Sequence, residues 1–198
     1  VALELTSGFV ASSRRISEKT AAENLLAECR KEMVSTIQKI TRKEKVENPP
    51  PLYDLTTLQR DANRLLGFTA QQTLDYLQNL YEKKLCTYPR TDSRYLTDDM
   101  LGSVPAIVLC SAGIYGVEAP SNILAQQVCN SKKVSDHHAI LPTMAAEELD
   151  LSTLPTAEQN ILKLISRQVL MAVSGACRYR EAEITITCGE SFKTTMKM

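Results

Sequence analysis

The chain has 198 residues, 43% of them hydrophobic and 23% charged, the proportions of an ordinary globular protein, which excludes disorder as its main state. Lys+Arg 23 against Asp+Glu 23 give a formal net charge of zero, so a nucleic-acid site, if there is one, must be a local feature rather than a general basic field. The six cysteines form no CxxC pair and have no histidine at ligand spacing, which disfavours zinc and fits reduced thiols of an intracellular protein; no apolar run or leader points to a membrane, so a cytoplasmic location is expected.

The chain opens on Val1, and VALEL alternates as a strand from its first residues. Ser17 is placed to cap a helix carrying Ala22, Leu25, Leu26 and Cys29 at helical spacing. MVSTIQKITRKEKV then alternates as one long exposed strand, and Asn48-Pro49-Pro50-Pro51 stops regular structure. Asp54 caps a helix over Leu55–Leu66 that ends at Gly67. Thr69 and Gln72 form a capping box for a helix reaching about Lys84, with Leu74, Leu77, Tyr81 and Leu85 on one stripe. Thr97-Asp98-Asp99 opens a shorter helix that Pro105 breaks or restarts. Thr156 and Gln159 repeat the capping box ahead of a helix whose core stripe is Ile161, Leu164, Ile165, Gln168 and Ala172. Glu181–Thr187 alternates again, a turn at Gly189 follows, and SFKTTMKM returns as a strand. Both ends read as cut from the middle of a longer protein. The expected class is α+β, mainly α: a helical body flanked by strand-bearing segments that can pair with each other.

Two stretches carry chemistry. In LCTYPRTDSRYL, Pro89 biases Tyr88 toward extended backbone, where residues two apart share a face. Tyr88, Arg90 and Asp92 then point one way, and Thr87, Thr91 and Ser93 the other. A phenol oxygen is a possible nucleophile toward phosphorus, and a neighbouring guanidinium can hold the attacked phosphate through two parallel hydrogen bonds. A free tyrosine has a pKa of about 10, so positive charge or a metal must favour the phenolate. The competing reading makes Arg90–Asp92 a surface ion pair worth about 0–1 kcal/mol. The second stretch, SDHHAILPT, holds the two histidines, His137 and His138, just after Lys132 and Lys133. Side by side on extended chain they face opposite ways, poorly placed to chelate one metal, so one faces a site and the other packing or solvent.

PPPLYDLTTLQRDANRLLGF (49–68), LYEKKLCTYPRTDSRYL (80–96) and DHHAILPT (136–143), in that order, closely resemble the type IA DNA topoisomerases, most of all the bacterial topoisomerase III branch. The resemblance implies that Tyr88 attacks a strand of single-stranded DNA to form a 5′-phosphotyrosine link. It implies that Arg90 positions the scissile phosphate and that His137 lies near the DNA backbone, while Thr87, Thr91 and Asp92 occupy motif positions of less defined role. It further implies a helical tyrosine-bearing domain, residues 51–175, inserted between strand-rich arch segments, 1–50 and 176–198, of a gate. The family's magnesium is bound by a Toprim domain, and no acidic DxDxD-like run occurs in these residues, so the chain carries the nucleophile but half of a site, with no metal ligands of its own.

Single-stranded DNA and the Toprim domain are thus the expected partners, magnesium the expected cofactor of the whole enzyme, and the bacterial cytoplasm and nucleoid the expected place. Local DNA contacts are expected from Lys83, Lys84, Arg90, Arg94, Lys132 and Lys133, weakening steeply with salt. A solvated charged face is the competing reading, notably for Lys83 and Lys84 at a helix C-terminus. A binding-only helical module is the alternative function. Relaxase-type and integrase-type tyrosine enzymes also use a phenol, but the His-x-His cluster of the one and the dispersed arginines of the other are not evident.

Overall fold

The computed structural model describes residues 1–6, 8–32, 34–147 and 149–198, and the chain divides into two compact units, Val1–Glu47 with Cys177–Met198, and Asn48–Ala176.

Among the described residues, the first unit is a five-stranded antiparallel sheet with one helix. Strands β1 (Ala2–Glu4), β2 (Val10–Ser13), β3 (Thr36–Glu47), β4 (Cys177–Cys188) and β5 (Glu190–Lys197) lie in the order β1-β2-β5-β4-β3. The expected pairing of the two strand-bearing segments is present, because β3 and β4 run antiparallel from Thr36↔Thr187 to Glu47↔Cys177, with a register shift between Ile37 and Lys39. Gly189, at φ +69°, makes the tight return from β4 to β5, a left-handed conformation that a side chain would strain. Helix α1 (Lys19–Lys31) buries Leu25 among Ala11, Ile186, Cys188 and Phe192. It begins two residues after Ser17: Glu18 is the N-cap, and it makes no side-chain cap bond. Strand β3 is the long exposed strand expected; Met33, first in the stretch assigned to it, lies outside the described residues.

The second unit is helical. In α2 (Leu55–Leu66) Asp54 accepts from Thr57 N at 2.6 Å in a capping box, and Gly67 ends the helix at φ +72°. Helix α3 (Ala70–Glu82) has the expected Thr69–Gln72 box. Of the expected stripe, Leu77 is buried within the helix and Leu85 just beyond its end, whereas Leu74 is half-buried and Tyr81 exposed; Thr73 and Leu80 complete the buried face instead. A 3-10 turn at Asp98–Ser103 leads into α4 (Val104–Tyr115), so Pro105 restarts a helix in the first turn, where its missing N–H costs nothing.

Helix α5 (Thr156–Ala172) buries all five expected stripe residues. Its expected capping box is absent, because Pro155 occupies the N-cap and the Gln159 amide turns back to the Leu154 carbonyl at 2.8 Å. Leu58, Leu77, Leu80, Ile161 and Ile165 share one core, and Leu52, Leu96, Val108, Leu141 and Val169 a second. Each such side chain contributes about 1.5–3 kcal/mol by leaving water. All six cysteines are free thiols, and among the described residues no helix is long and apolar enough to cross a membrane.

Candidate active site around Tyr88

The site begins where α3 stops. Lys84 takes a left-handed conformation, φ 62°, and Leu85 N donates to Leu80 O at 2.9 Å, which turns the chain out of the helix. This turn without glycine costs about 1–2 kcal/mol of backbone strain. The Thr143 hydroxyl donates to the Lys84 carbonyl and holds the strained residue in place. The extended segment that follows bonds to the HHAILPT stretch: Thr143 N donates to Leu85 O at 3.0 Å, Thr87 N to Leu141 O at 2.9 Å, and Leu141 N to the Thr87 hydroxyl at 2.9 Å.

Further on, Thr91 Oγ1 donates to the His137 carbonyl at 2.9 Å, while Leu55 N donates to Thr91 O at 3.1 Å and Ile140 N to Tyr53 O at 2.9 Å. The three sequence motifs, far apart along the chain, therefore form one hydrogen-bonded knot. Thr91 and Ser93 are buried within it, and Arg90 and Asp92 face water. That is the two-sided arrangement that alternation predicts.

Tyr88 projects half-buried from this knot between two rings. Tyr81 meets it edge-on with centroids 5.6 Å apart, and His137 lies 4.3 Å away, tilted by 41°. Phenol, imidazole and the exposed Arg90 of the next-but-one position thus come from one short segment and its hydrogen-bonded neighbour. His138 turns the other way, its Nδ1 lying 2.7 Å from the Ala139 carbonyl, as expected for adjacent residues on extended chain. Asp92 accepts the Ser135 hydroxyl at 2.9 Å, and among the described residues no ion pair joins it to Arg90. The surface-pair reading of Arg90–Asp92 is thereby corrected: a neutral hydroxyl binds the carboxylate, and the guanidinium is left to solvent.

The basic candidates divide. The Lys83 ammonium is bound to the buried Glu158 carboxylate at 2.5 Å, and Glu158 also accepts from the Asn79 amide at 3.0 Å, so Lys83 tethers α3 to α5. Arg94 Nε donates to the Leu52 carbonyl at 3.0 Å, and its head lines a cleft that Tyr88 does not line. The Lys133 ammonium lies 4.4 Å from the centroid of the Tyr95 ring and 3.1 Å from its hydroxyl. Lys84 and Lys132 are exposed. Sequence reasoning gave no role at the site to Tyr81, which it placed on the core stripe, or to Ser135; neither stands in a local pattern that marks a neighbour of Tyr88.

The profile of the family described as DNA topoisomerase matches residues 3–198. The chain belongs to the type IA DNA topoisomerases. The topoisomerase domain is 37% identical over 163 residues to DNA topoisomerase 3 of Bacillus cereus, covering 78% of this chain and 22% of that one. It is 38% identical over 168 residues to DNA topoisomerase 3 of Bacillus subtilis, with the same coverage of 78% and 22%. DNA topoisomerase 3 of Staphylococcus haemolyticus is 32% identical over 167 residues, covering 81% of this chain and 23% of that one. The topoisomerase domain thus spans under a quarter of the length of these curated relatives. Full-length topoisomerase I from Thermotoga maritima shares the fold, with a TM-score of 0.63 at 20% identity over 95% of this chain and 31% of that one. Type IA topoisomerases use magnesium; among the described residues of this domain no group of three or more His, Cys, Asp or Glu could hold a metal ion.

Proposed function

We propose that this topoisomerase domain supplies the nucleophile for breaking and rejoining one DNA strand. The Tyr88 hydroxyl gives up its proton to solvent as its oxygen attacks the phosphorus of a phosphodiester. The bond from phosphorus to the 3′ oxygen breaks, and that oxygen takes up a proton to leave as a 3′ hydroxyl. The new 5′-phosphotyrosine ester keeps the bond energy, so attack by the 3′ hydroxyl reseals the strand and no nucleotide triphosphate is needed. The observation that carries this reading is the convergence of Tyr88, the exposed Arg90 and His137, 4.3 Å from the tyrosine ring, on one hydrogen-bonded knot.

Arg90 suits two-point binding of the attacked phosphate. His137 flanks the phenol and can donate to a phosphate oxygen. Thr87 and Thr91 act one step back, fixing the backbone that carries Tyr88 and His137. Magnesium belongs to a Toprim domain in this proposal, and no step is assigned to it here. Residues 1–50 and 176–198 are read as arch segments of a gate and 51–175 as the catalytic-tyrosine domain, with single-stranded DNA as substrate, relaxation or decatenation as the outcome, and the bacterial cytoplasm as the place. Alone, the domain is expected to be inactive.

The test is covalent trapping of 3′-labelled single-stranded DNA by a protein that joins this domain to a Toprim domain, with magnesium, on a denaturing gel. Label is expected to stay with that protein and to be absent from its Tyr88→Phe variant and from the domain alone. Trapping by Tyr88→Phe would refute the assignment, and no trapping by any form would favour a binding-only module.

A further inference from the structure

Four arginines converge on a cleft lined by neither Tyr88, Arg90 nor His137. Arg60 and Arg64 stand one turn apart on α2, Arg167 comes from α5, and Arg94 from the segment that follows Ser93, around about 350 Å³. Among the described residues that line it, Asp61 is the one carboxylate. Its oxygens are already engaged: Oδ2 accepts the Tyr53 phenol at 2.7 Å and Oδ1 accepts Arg64 at 3.0 Å. Burial pushes the Asp61 carboxyl up, but the Tyr53 and Arg64 bonds outweigh it and hold the group ionised below the usual carboxylate range.

One carboxylate cannot balance four guanidinium groups. Arg60 and Arg64, four apart on a helix, repel each other, an arrangement that works against α2 unless something anionic uses it. Among the described residues the buried Nε atom of Arg167 has no hydrogen-bond partner, and a buried donor left unpaired is a standing cost that a ligand can remove. The planar fork of arginine matches phosphate oxygens. The cleft also continues: Pro50 and Arg94 line a second cleft with Tyr95, the ring beside the Lys133 ammonium. Guanidinium groups followed by an aromatic ring with its own cation form a path suited to a polymer of phosphates and bases rather than to a single anion.

We infer that the arginine cleft is a phosphate site that takes the backbone of a single nucleic-acid strand, with Tyr95 and Lys133 serving the next position along it. The inference goes beyond the assignment of Tyr88, since it concerns holding a strand and not cutting one.

The test is fluorescence anisotropy of fluorescein-labelled oligo(dT) with the 198-residue chain, without magnesium, across a salt series. The key variant is Arg60→Gln combined with Arg64→Gln, both exposed positions, with circular dichroism to check the fold. The slope of log K against log salt is expected to become shallower by about 0.7 for each phosphate that the double variant no longer neutralises. Arg30→Gln, an exposed charge on α1, should leave it unchanged. An unchanged slope in the double variant overturns the inference, as does absence of oligo(dT) binding at low salt. Inorganic pyrophosphate separates the two sources of phosphate: if the chain binds it and the double variant does not, while oligo(dT) binding is untouched, the cleft serves free phosphates and the strand reading is wrong. No cleavage is read in this assay, so failed trapping at Tyr88 leaves its outcome standing.

Discussion

Replacing Lys83 by methionine separates a tether from a DNA contact. Glu158 is 3% exposed and its carboxylate is bound by Lys83 and Asn79. An exposed ion pair is worth about 0–1 kcal/mol, whereas stripping the partner from a buried charge costs about 3–5 kcal/mol. Lys83→Met falls between, because the lysine side chain is 44% exposed and the Asn79 bond survives to hold Glu158. The expected loss is about 2 kcal/mol, or roughly 8 °C in Tm at about 4 °C per kcal/mol for a unit of this size. Urea denaturation of Lys83→Met, Glu158→Gln and the double variant closes the cycle, and the double variant should lose less than the sum of the two singles. The oligo(dT) salt slope should not change. A loss below about 0.5 kcal/mol together with a shallower slope would refute the tether and make Lys83 a DNA-binding cation instead.

Thr91→Val leaves the His137 carbonyl and the Ser93 amide without the hydroxyl that serves both; a loss of about 1–3 kcal/mol in urea is expected, with weaker covalent trapping, and Thr91→Ser should restore both. Gly67→Ala should cost about 1 kcal/mol by thermal denaturation, purely through the left-handed backbone, since an added Cβ there meets nothing within 4 Å. Burial pushes the Cys86 thiol from 9 to about 12. The folded state thus holds this proton more tightly than the unfolded chain. The contribution is complete below about pH 9 and is lost as pH rises through 9 to 12, by up to about 1.4 kcal/mol per pH unit. Alkaline denaturation should be shallower in Cys86→Ala than in the parent chain.

What could be read from the sequence was set by range. The caps of α2 and α3 are short-range devices, Asp54 for the one and the box of Thr69 with Gln72 for the other, and the structure has both, adding Thr57 as the partner of Asp54. The same device failed at Thr156, where a preceding proline fixed the entry and Gln159 found a nearer carbonyl. The alternation after Pro89 indicated that Arg90 and Asp92 share one side of the segment and Thr91 and Ser93 the other; that the first side meets water was decided by the packing of Thr91 and Ser93. It could not indicate that Tyr81 would close over Tyr88, because that packing depends on the left-handed turn at Lys84, which a lysine does not advertise. The arginine cleft was equally hidden: residues 60, 94 and 167 meet through the packing of α2 and α5, and no local pattern links them.

The pairing of Glu47 with Cys177 bears on how the chain reaches its native state. The β3–β4 ladder starts on either side of residues 48–176, a span of 129 residues. Bringing the ends of so long a flexible span together costs about 4 kcal/mol in chain entropy before the first ladder bond forms. If the helical unit condenses first, its own termini already lie side by side and the ladder zips from a short gap. Refolding is therefore expected in two phases, helical ellipticity first and the sheet afterwards, with variants that weaken α2 or α5 slowing the appearance of a strand pair they do not touch. A single phase shared by both signals would mean that the ladder and the helices nucleate together.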